Sequence, residues 1–498
     1  MMLPQSPIRR KGFILYRPGG TPSRAGDFLI PREEVFSFLF ADASDREIVV
    51  GDSQNAHYIS TVNYLKLSSF MYALTNITSL AVPFILKDAL HLSPVHLGLF
   101  GALCATPSFI KPICTLVIAR SARPLTLAVC ASTQSVMYLT VGLAVAHGLA
   151  SIPVVCGCMF VHSVASAVGM VLRDTMMVES AAGLNSDFQA HALFADVSMI
   201  SRFGLLPVSY LSGYLLSYVS PAAVIGAAAI CPAIVSLAAL CLDRTGSSEE
   251  VNAEESGRML VMALERIKDT DSGLFSTTTG RGLFLSLVPS YADAMFFYYT
   301  QAAGFSPEFL GRFQLLGAIA GIVGNGLSKL SAEIVDPQTV SNVAVAVSVP
   351  MYFSLLLLTT NSVQSALHMS TSVFVLTRHF LVDFLASLTA LPSAVQLMRT
   401  APKGAEGTYL ALVGSISDFG GILNSLVSSA TMGLFGITAT SFSNLSPFLV
   451  LCNSLTAVTS PLLFYYNPSP KPTIPLMQEL LEKEPKLRLE VASPIRDA

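Results

Sequence analysis

Charged side chains are scarce in this sequence. Asp, Glu, Lys and Arg make up 12% of the 498 residues, whereas apolar residues make up 52% and the mean hydropathy is +0.60. Soluble globular domains carry about 25% charged residues. The scarcity excludes a soluble protein for most of the chain and indicates that its solvent is lipid.

The sequence also lacks the residue patterns of common catalytic and metal sites. Phosphate-binding glycine motifs, catalytic triads and His-Glu metal patterns do not occur in a convincing arrangement. The eight cysteines are scattered, and Cys156 and Cys158 are two positions apart rather than three, unlike a redox or zinc pair. We therefore expect no enzyme, no metal, no cofactor and no nucleic-acid partner.

An acidic side chain is missing from the first 26 residues, which contain five basic residues and no long apolar run. This composition excludes a secretory signal peptide and favours a basic cytosolic tail over residues 1–64. An organellar transit peptide is the alternative, because such peptides are rich in Arg and poor in acids.

Long apolar runs, by contrast, are abundant. A membrane-spanning helix needs about 20 mostly apolar residues, and twelve such segments occur, six before and six after a polar stretch. The predicted spans are 65–86, 95–118, 122–146, 150–172, 192–216, 221–242, 281–303, 309–331, 338–360, 370–398, 406–431 and 445–466. The chain is thus predicted to be an all-α membrane protein.

The polar stretch divides the spans into two halves. We predict an N-terminal six-helix half at 65–242, a linker at 243–280, a C-terminal six-helix half at 281–466 and a tail at 467–498. Lys and Arg gather in one set of alternate loops, which places both termini and the linker in the cytosol. An even number of spans agrees with this orientation.

Short motifs recur at matching places in the two halves. LSPVHLG at 92–98 matches FSPEFLG at 305–311, an offset of 213 residues, and ISRFG at 200–204 matches ISDFG at 416–420, an offset of 216. The matches predict a parallel repeat, as in the major facilitator group, whose two six-helix bundles bind substrate between them at mid-depth.

A few ionisable residues fall inside predicted spans, where each costs at least about 2.5–3.5 kcal/mol and is a functional candidate. Asp293 in the seventh span is expected either to contact substrate or a proton or to fix helix packing. Arg202 and Asp418 occupy equivalent places in the repeat, so they either form an ion pair or have separate partners.

The tenth span carries three polar residues close together. Arg378, His379 and Asp383 partly share a face of the helix, which allows either a proton relay or a structural histidine. Lys111, near the end of the second span, is interpreted either as a side chain that extends to the membrane interface or as a functional charge within the span.

Three sequence blocks resemble the folate-biopterin transporter family, a branch of the major facilitator superfamily. They are LAVPFILKDALHLSPVHLGLFGALCATPSFIKP (80–112), PSYADAMFFYYTQAAGFSPEFLGR (289–312) and APKGAEGTYLALVGSISDFGG (401–421). The resemblance covers roughly residues 65–466. It implies a secondary transporter that moves folates or pterins by alternating access with proton symport.

Within the resemblance, some acids match and others do not. Asp174 and Glu179 match family acids of the fourth span, whereas Met170 and Ala119 stand where the family has acids. Arg173 is an added charge beside them.

A folate or pterin has a planar heteroaromatic ring, and folates add a glutamyl tail with two carboxylates, so a site needs aromatic surfaces and cations. We expect the substrate-binding and coupling residues to be Asp293, Phe297, Tyr298, Tyr299, Arg202, Asp418, Arg378, Asp383 and Asp174. The partners expected are the substrate, a proton and membrane lipid, with the chain a monomer.

Two alternatives stay open. S-adenosylmethionine or another metabolite could be the substrate, since acids near aromatic rings suit a sulfonium cation. A membrane sensor that has lost transport is the second alternative, favoured by the two missing acids. The plasma membrane is the preferred location, and a plastid-type inner membrane is the alternative because of the basic N-terminus.

Overall fold

The computed structural model describes residues 52–109, 111, 123–182, 187–242, 261, 283, 286–331, 337–400 and 406–465. Most of the predicted N-terminal tail, nearly all of the linker and the whole C-terminal tail lie outside these residues. The described part is helical without strands, which confirms the predicted all-α fold.

Helices occupy all twelve predicted spans, and we number them α1 to α12. Six of the described segments are individually long and apolar enough to cross a membrane. The bounds are α1 Asp52–Leu74, Thr75–Ile77, Thr78–Phe84 and Ile85–Ala89, α2 Pro94–Phe109, α3 Arg123–Ala146, α4 Ile152–Ala182, α5 Asp187–Tyr218, α6 Pro221–Ala228 and Ile230–Leu240, α7 Ala292–Phe297 and Tyr298–Ala302, α8 Pro307–Ser331, α9 Pro337–Phe353 and Leu355–Thr359, α10 Thr371–Thr400, α11 Glu406–Leu434 and α12 Leu445–Tyr465.

The first helix of each half ends in a π turn at the same place in the repeat. The π turns are Ile85–Ala89 in α1 and Tyr298–Ala302 in α7, again 213 residues apart. The amide of Leu90 donates to the carbonyl of Ile85 at 3.1 Å, and its counterpart in the second half spans 2.9 Å. The sequence repeat is therefore a repeat of backbone geometry as well.

The second residue after each π turn directs the chain towards the next helix. Gly304 has φ +64°, and the equivalent residue of the first half, His91, has φ 50°. Both positions require a left-handed backbone conformation, which glycine adopts without a Cβ clash. The Ser-Pro sequences that follow begin α2 and α8, and this explains the strongest motif match in the sequence.

Two helix pairs join the halves. Helix α2 packs against α11, and α5 packs against α8. Gly213 of α5 faces Gly311 of α8 so closely that a Cβ on either would overlap the backbone of the other. Gly98 of α2, the repeat equivalent of Gly311, packs just as closely against Ser429 of α11.

These contacts distinguish the two faces of the membrane. We call the face where even-numbered helices end the linker side, because α6 leads there into the 243–280 segment, and the other face the opposite side. The Gly213–Gly311 and Gly98–Ser429 contacts lie towards the opposite side. Because glycine and serine allow backbones to approach closely, the halves are in tight contact there.

Candidate functional site

The seventh predicted span is interrupted just before its charged residue. Residues 286–291 form turns and irregular backbone, and α7 begins at Ala292. Asn424 Nδ2 of α11 donates to the carbonyl of Val288 at 2.7 Å, and the amide of Ser290 donates to Ser428 Oγ at 2.7 Å. Irregular backbone at membrane depth requires such partners. Helix α11 thus supplies the hydrogen bonds that helix formation would have supplied.

Asp293 follows this break, in the first turn of α7. Its Oδ2 lies 3.0 Å from the point where a Cβ on Gly98 would stand, and Ser429 borders the same point. The carboxylate belongs to the C-terminal half but lies against a helix of the N-terminal half. Asp293 therefore lies at the contact between the two halves.

Arg378 of α10 is 8% exposed and is held on two sides. Its Nε donates to the carbonyl of Met351 at 3.0 Å, and its Nη2 donates to the hydroxyl of Tyr291 at 3.2 Å. The second contact ties α10 to the broken segment before α7. The two hydrogen bonds hold the guanidinium at a fixed position in the interior.

His379 and Asp383 form a pair on the same helix. His379 Nε2 lies 3.5 Å from Asp383 Oδ2, and the imidazole stacks on Phe313 with ring centroids 3.5 Å apart and planes 1° apart. Gly317 of α8 gives both side chains room, since a Cβ there would be 2.5 Å from Asp383 Oδ2 and 2.8 Å from His379 Nε2. The tenth-span residues are thus brought together by α8.

The three aromatic residues predicted at the site differ in their surroundings. Phe297 is 1% exposed and packs into the apolar core of the N-terminal half with Ile85 and Ile225. Tyr299 is 7% exposed and packs between Phe305 and Phe313, whereas Tyr298 is half-buried and donates its hydroxyl to the carbonyl of Leu358 at 3.3 Å. In this structure Phe297 is a packing residue and offers no surface for a planar ring.

A second polar group lies near the linker side. Lys111 Nζ is 2.8 Å from Asp418 Oδ2, which joins α11 to the end of the second span, and Phe109 packs beside them on Phe419 with ring centroids 5.1 Å apart. Asp174 of α4 is exposed and interacts electrostatically with Lys111.

Arg202 is exposed on α5, and within the described part of the chain it forms no ion pair with Asp418. The partner of Asp418 is Lys111, whose side chain therefore takes part in a contact between the halves. The repeat places Arg202 and Asp418 at equivalent positions, which does not bring them into contact.

Sequence reasoning missed Lys111 as a partner across the halves and missed Phe313 and Gly317 around His379. The pairing of distant helices has no local signal in one sequence. Gly317 had a weak signal, since a glycine within a helix costs stability and often marks close packing.

Two six-helix halves, joined through α2 with α11 and α5 with α8 around charged residues, have the fold of the major facilitator group. Solved transporters share the fold. The nucleoside transporter NupG is 11% identical with a TM-score of 0.60, covering 82% of this chain and 98% of NupG. The inward-open xylose transporter XylE from E. coli is 13% identical with a TM-score of 0.57, covering 85% of this chain and 99% of XylE.

Within that class, the chain belongs to the BT1 family, whose sequence profile matches residues 73–474. A Synechocystis protein named folate-biopterin transporter is 26% identical over 399 residues, 79% of each chain. Folate transporter 2 of Plasmodium falciparum is 26% identical over 76% of this chain and 82% of its own. The protein is thus a multi-pass membrane transporter and not an enzyme, and the resemblance seen in its sequence is confirmed.

A relative from Arabidopsis thaliana is named probable folate-biopterin transporter 8, chloroplastic. It is 23% identical, covering 82% of this chain and 74% of its own.

Proposed function

We propose that this transporter moves folates or pterins across its membrane by alternating access, together with a proton. The observation that carries the proposal is the position of Asp293, which follows a helix break in one half and lies against Gly98 of the other. The names of the relatives from Synechocystis and Plasmodium support the substrate class.

Alternating access is supported by contacts between the halves at both ends. On the opposite side the halves meet through small residues, Gly213 with Gly311. On the linker side they meet through the ion pair of Lys111 with Asp418. A rocking motion of the halves separates one set of contacts while it keeps the other.

The coupling proton is assigned to acids near the centre. Asp293 changes its surroundings when the halves move, and Asp383 is held beside His379. An acid that is protonated in one state and charged in the other links proton uptake to the motion. Arg378, close to Tyr299 and bonded to Tyr291, supplies a fixed cation beside aromatic rings.

The test is uptake of labelled folic acid, 5-methyltetrahydrofolate and S-adenosylmethionine by vesicles that contain the purified chain, with and without an inward proton gradient. Saturable folate uptake that the gradient stimulates supports the proposal. Uptake of S-adenosylmethionine alone replaces the substrate and keeps the fold. If none of the three enters the vesicles, the proposed function is replaced by that of a non-transporting sensor or of a transporter of another solute.

A further inference from the structure

Three helices of the N-terminal half bring a set of polar side chains together in its interior. Tyr64 and Tyr72 of α1 lie eight residues apart, two helical turns, and so share a face. Gln134 of α3 and Arg173 of α4 meet that face. We call these four residues the arginine cluster.

The contacts within the cluster do not satisfy all of its hydrogen-bond donors. The guanidinium of Arg173 lies above the ring of Tyr72, with its Cζ 3.9 Å from the ring centroid. This cation–π contact uses the flat face of the guanidinium. The N–H groups lie in the plane of the guanidinium and can still donate hydrogen bonds. Nη1 is buried and has no hydrogen-bond partner among the described residues.

The tyrosines add further donors. Tyr64 is 4% exposed, and within the described part of the chain its hydroxyl has no hydrogen-bond partner either. Tyr64 is close enough to Tyr72 and Arg173 to interact with both electrostatically. Gln134 Nε2 donates to the hydroxyl of Tyr72 at 3.3 Å, so the Tyr72 hydroxyl accepts there and its own proton can be donated.

Buried polar groups without hydrogen-bond partners are rare in native proteins. Here a guanidinium N–H and a phenol O–H are both buried in one place. The chemical group that satisfies them is an acceptor with negative charge. A carboxylate offers two oxygens with about four acceptor sites and pairs well with a guanidinium.

We propose that the arginine cluster is a subsite that binds a carboxylate of the transported substrate. The proposal rests on the proposed function and names the part of the substrate that the N-terminal half recognises. Folates carry carboxylates in their glutamyl tail, whereas pterins have none. Arg173 therefore makes the transporter prefer folates over unconjugated pterins.

The position of the cluster links recognition to the contact between the halves. Asp174, the residue next to Arg173, interacts electrostatically both with Arg173 and with Lys111. Lys111 in turn holds Asp418 of the other half at 2.8 Å. A carboxylate bound at Arg173 competes with Asp174 for the same cation, and this changes the charges that face Lys111.

The experiment compares uptake of folic acid and of biopterin by vesicles that contain wild-type protein, Arg173→Gln, Arg173→Lys or Tyr64→Phe. We expect Arg173→Gln to raise KM for folic acid at least tenfold and to leave KM for biopterin within threefold. Arg173→Lys keeps the charge and recovers part of the loss. The control is Arg312→Gln, since Arg312 is exposed and pairs with Glu308 on the surface.

Equal changes in KM for both substrates in Arg173→Gln, or none for folic acid, overturn the subsite. If the variant does not reach the membrane in normal amount, Tyr64→Phe decides, since it removes one donor and keeps the ring. Wild-type protein that takes up neither substrate overturns the proposed function instead. In that case the subsite is tested by thermal stabilisation with p-aminobenzoylglutamate, which carries the carboxylates without the pterin ring. This compound should raise the melting temperature of the wild type and not that of Arg173→Gln.

Discussion

Lys111 and Asp418 join the two halves of the transporter through an ion pair whose Nζ and Oδ2 atoms are 2.8 Å apart. The lysine is 14% exposed and the aspartate 34%, so the pair is only partly screened by solvent. The contact lies at the linker side, next to the packed rings of Phe109 and Phe419. We infer that it stabilises the state that is closed on this side.

Reversing one charge of this pair should slow transport. Lys111→Glu places two carboxylates face to face, and we expect uptake to fall roughly tenfold, as for a coupling of 1–3 kcal/mol. The double variant Lys111→Glu with Asp418→Lys should recover most of the lost uptake. Lys66→Glu is the control, because Lys66 pairs with Asp196 inside one half at 4.0 Å. If the double variant is as slow as Lys111→Glu alone, the two residues do not act through their ion pair.

Neutralising the acid between the halves should abolish uptake. Asp293→Asn removes the carboxylate that lies against Gly98 and leaves the size of the side chain unchanged. We expect no uptake at normal abundance in the membrane, measured in vesicles and by quantitative immunoblot. Asp88→Asn, at an exposed position, should transport normally. Full activity of Asp293→Asn would refute the role given to this acid.

A methyl group at Gly317 should disturb the pair of His379 and Asp383. The new Cβ would lie 2.5 Å from Asp383 Oδ2, and overpacking of this kind costs about 1–3 kcal/mol. We expect a lower melting temperature in detergent and slower proton-driven uptake. Gly326→Ala on the same helix is the matched control, since its Cβ meets nothing within 4 Å. Equal behaviour of the two variants would mean that this pair is dispensable.

Closure on the opposite side should depend on Gly213. A Cβ at this position would overlap the backbone of Gly311, so Gly213→Ala should hold α5 and α8 apart. In protein without other reactive cysteines, we expect Tyr210→Cys to react about fivefold faster with a membrane-impermeant maleimide when Gly213→Ala is also present. Gly433→Ala, where the added Cβ meets open space, is the control. Unchanged labelling would show that the closure tolerates the methyl group.

The fold could be predicted largely from the sequence because lipid imposes a simple rule on it. Each span needs an apolar run, and each of the twelve runs contains a helix among the described residues. The break before α7 was not predicted, although Pro289, which lacks an N–H and disfavours a helical conformation at the residue before it, is a sequence signal for such a break. The side chains that satisfy its backbone, Asn424 and Ser428, are more than 130 residues away and have no local signal.

The candidate site was predictable residue by residue but not as an arrangement. The cost of charge in a membrane singled out Asp293, Arg378 and Asp418 without any structure. Their partners depend on how helices pack, and Lys111 rather than Arg202 reaches Asp418 for that reason. Phe297 shows that residue type alone does not identify a binding residue, because an aromatic ring can contact a ligand or pack in a core equally well.

The paired π turns at Ile85–Ala89 and Tyr298–Ala302 bear on where the chain can change in length. A π turn contains one residue more than an α turn, and a single insertion into a helix is enough to create it. Both halves carry it at the same repeat position, so a change of chain length there would act at the same place in each half. Deleting one residue from either π turn would rotate everything after it by about 100°. Insertions and deletions at these two turns should therefore be far rarer among descendants of the gene than changes of residue type.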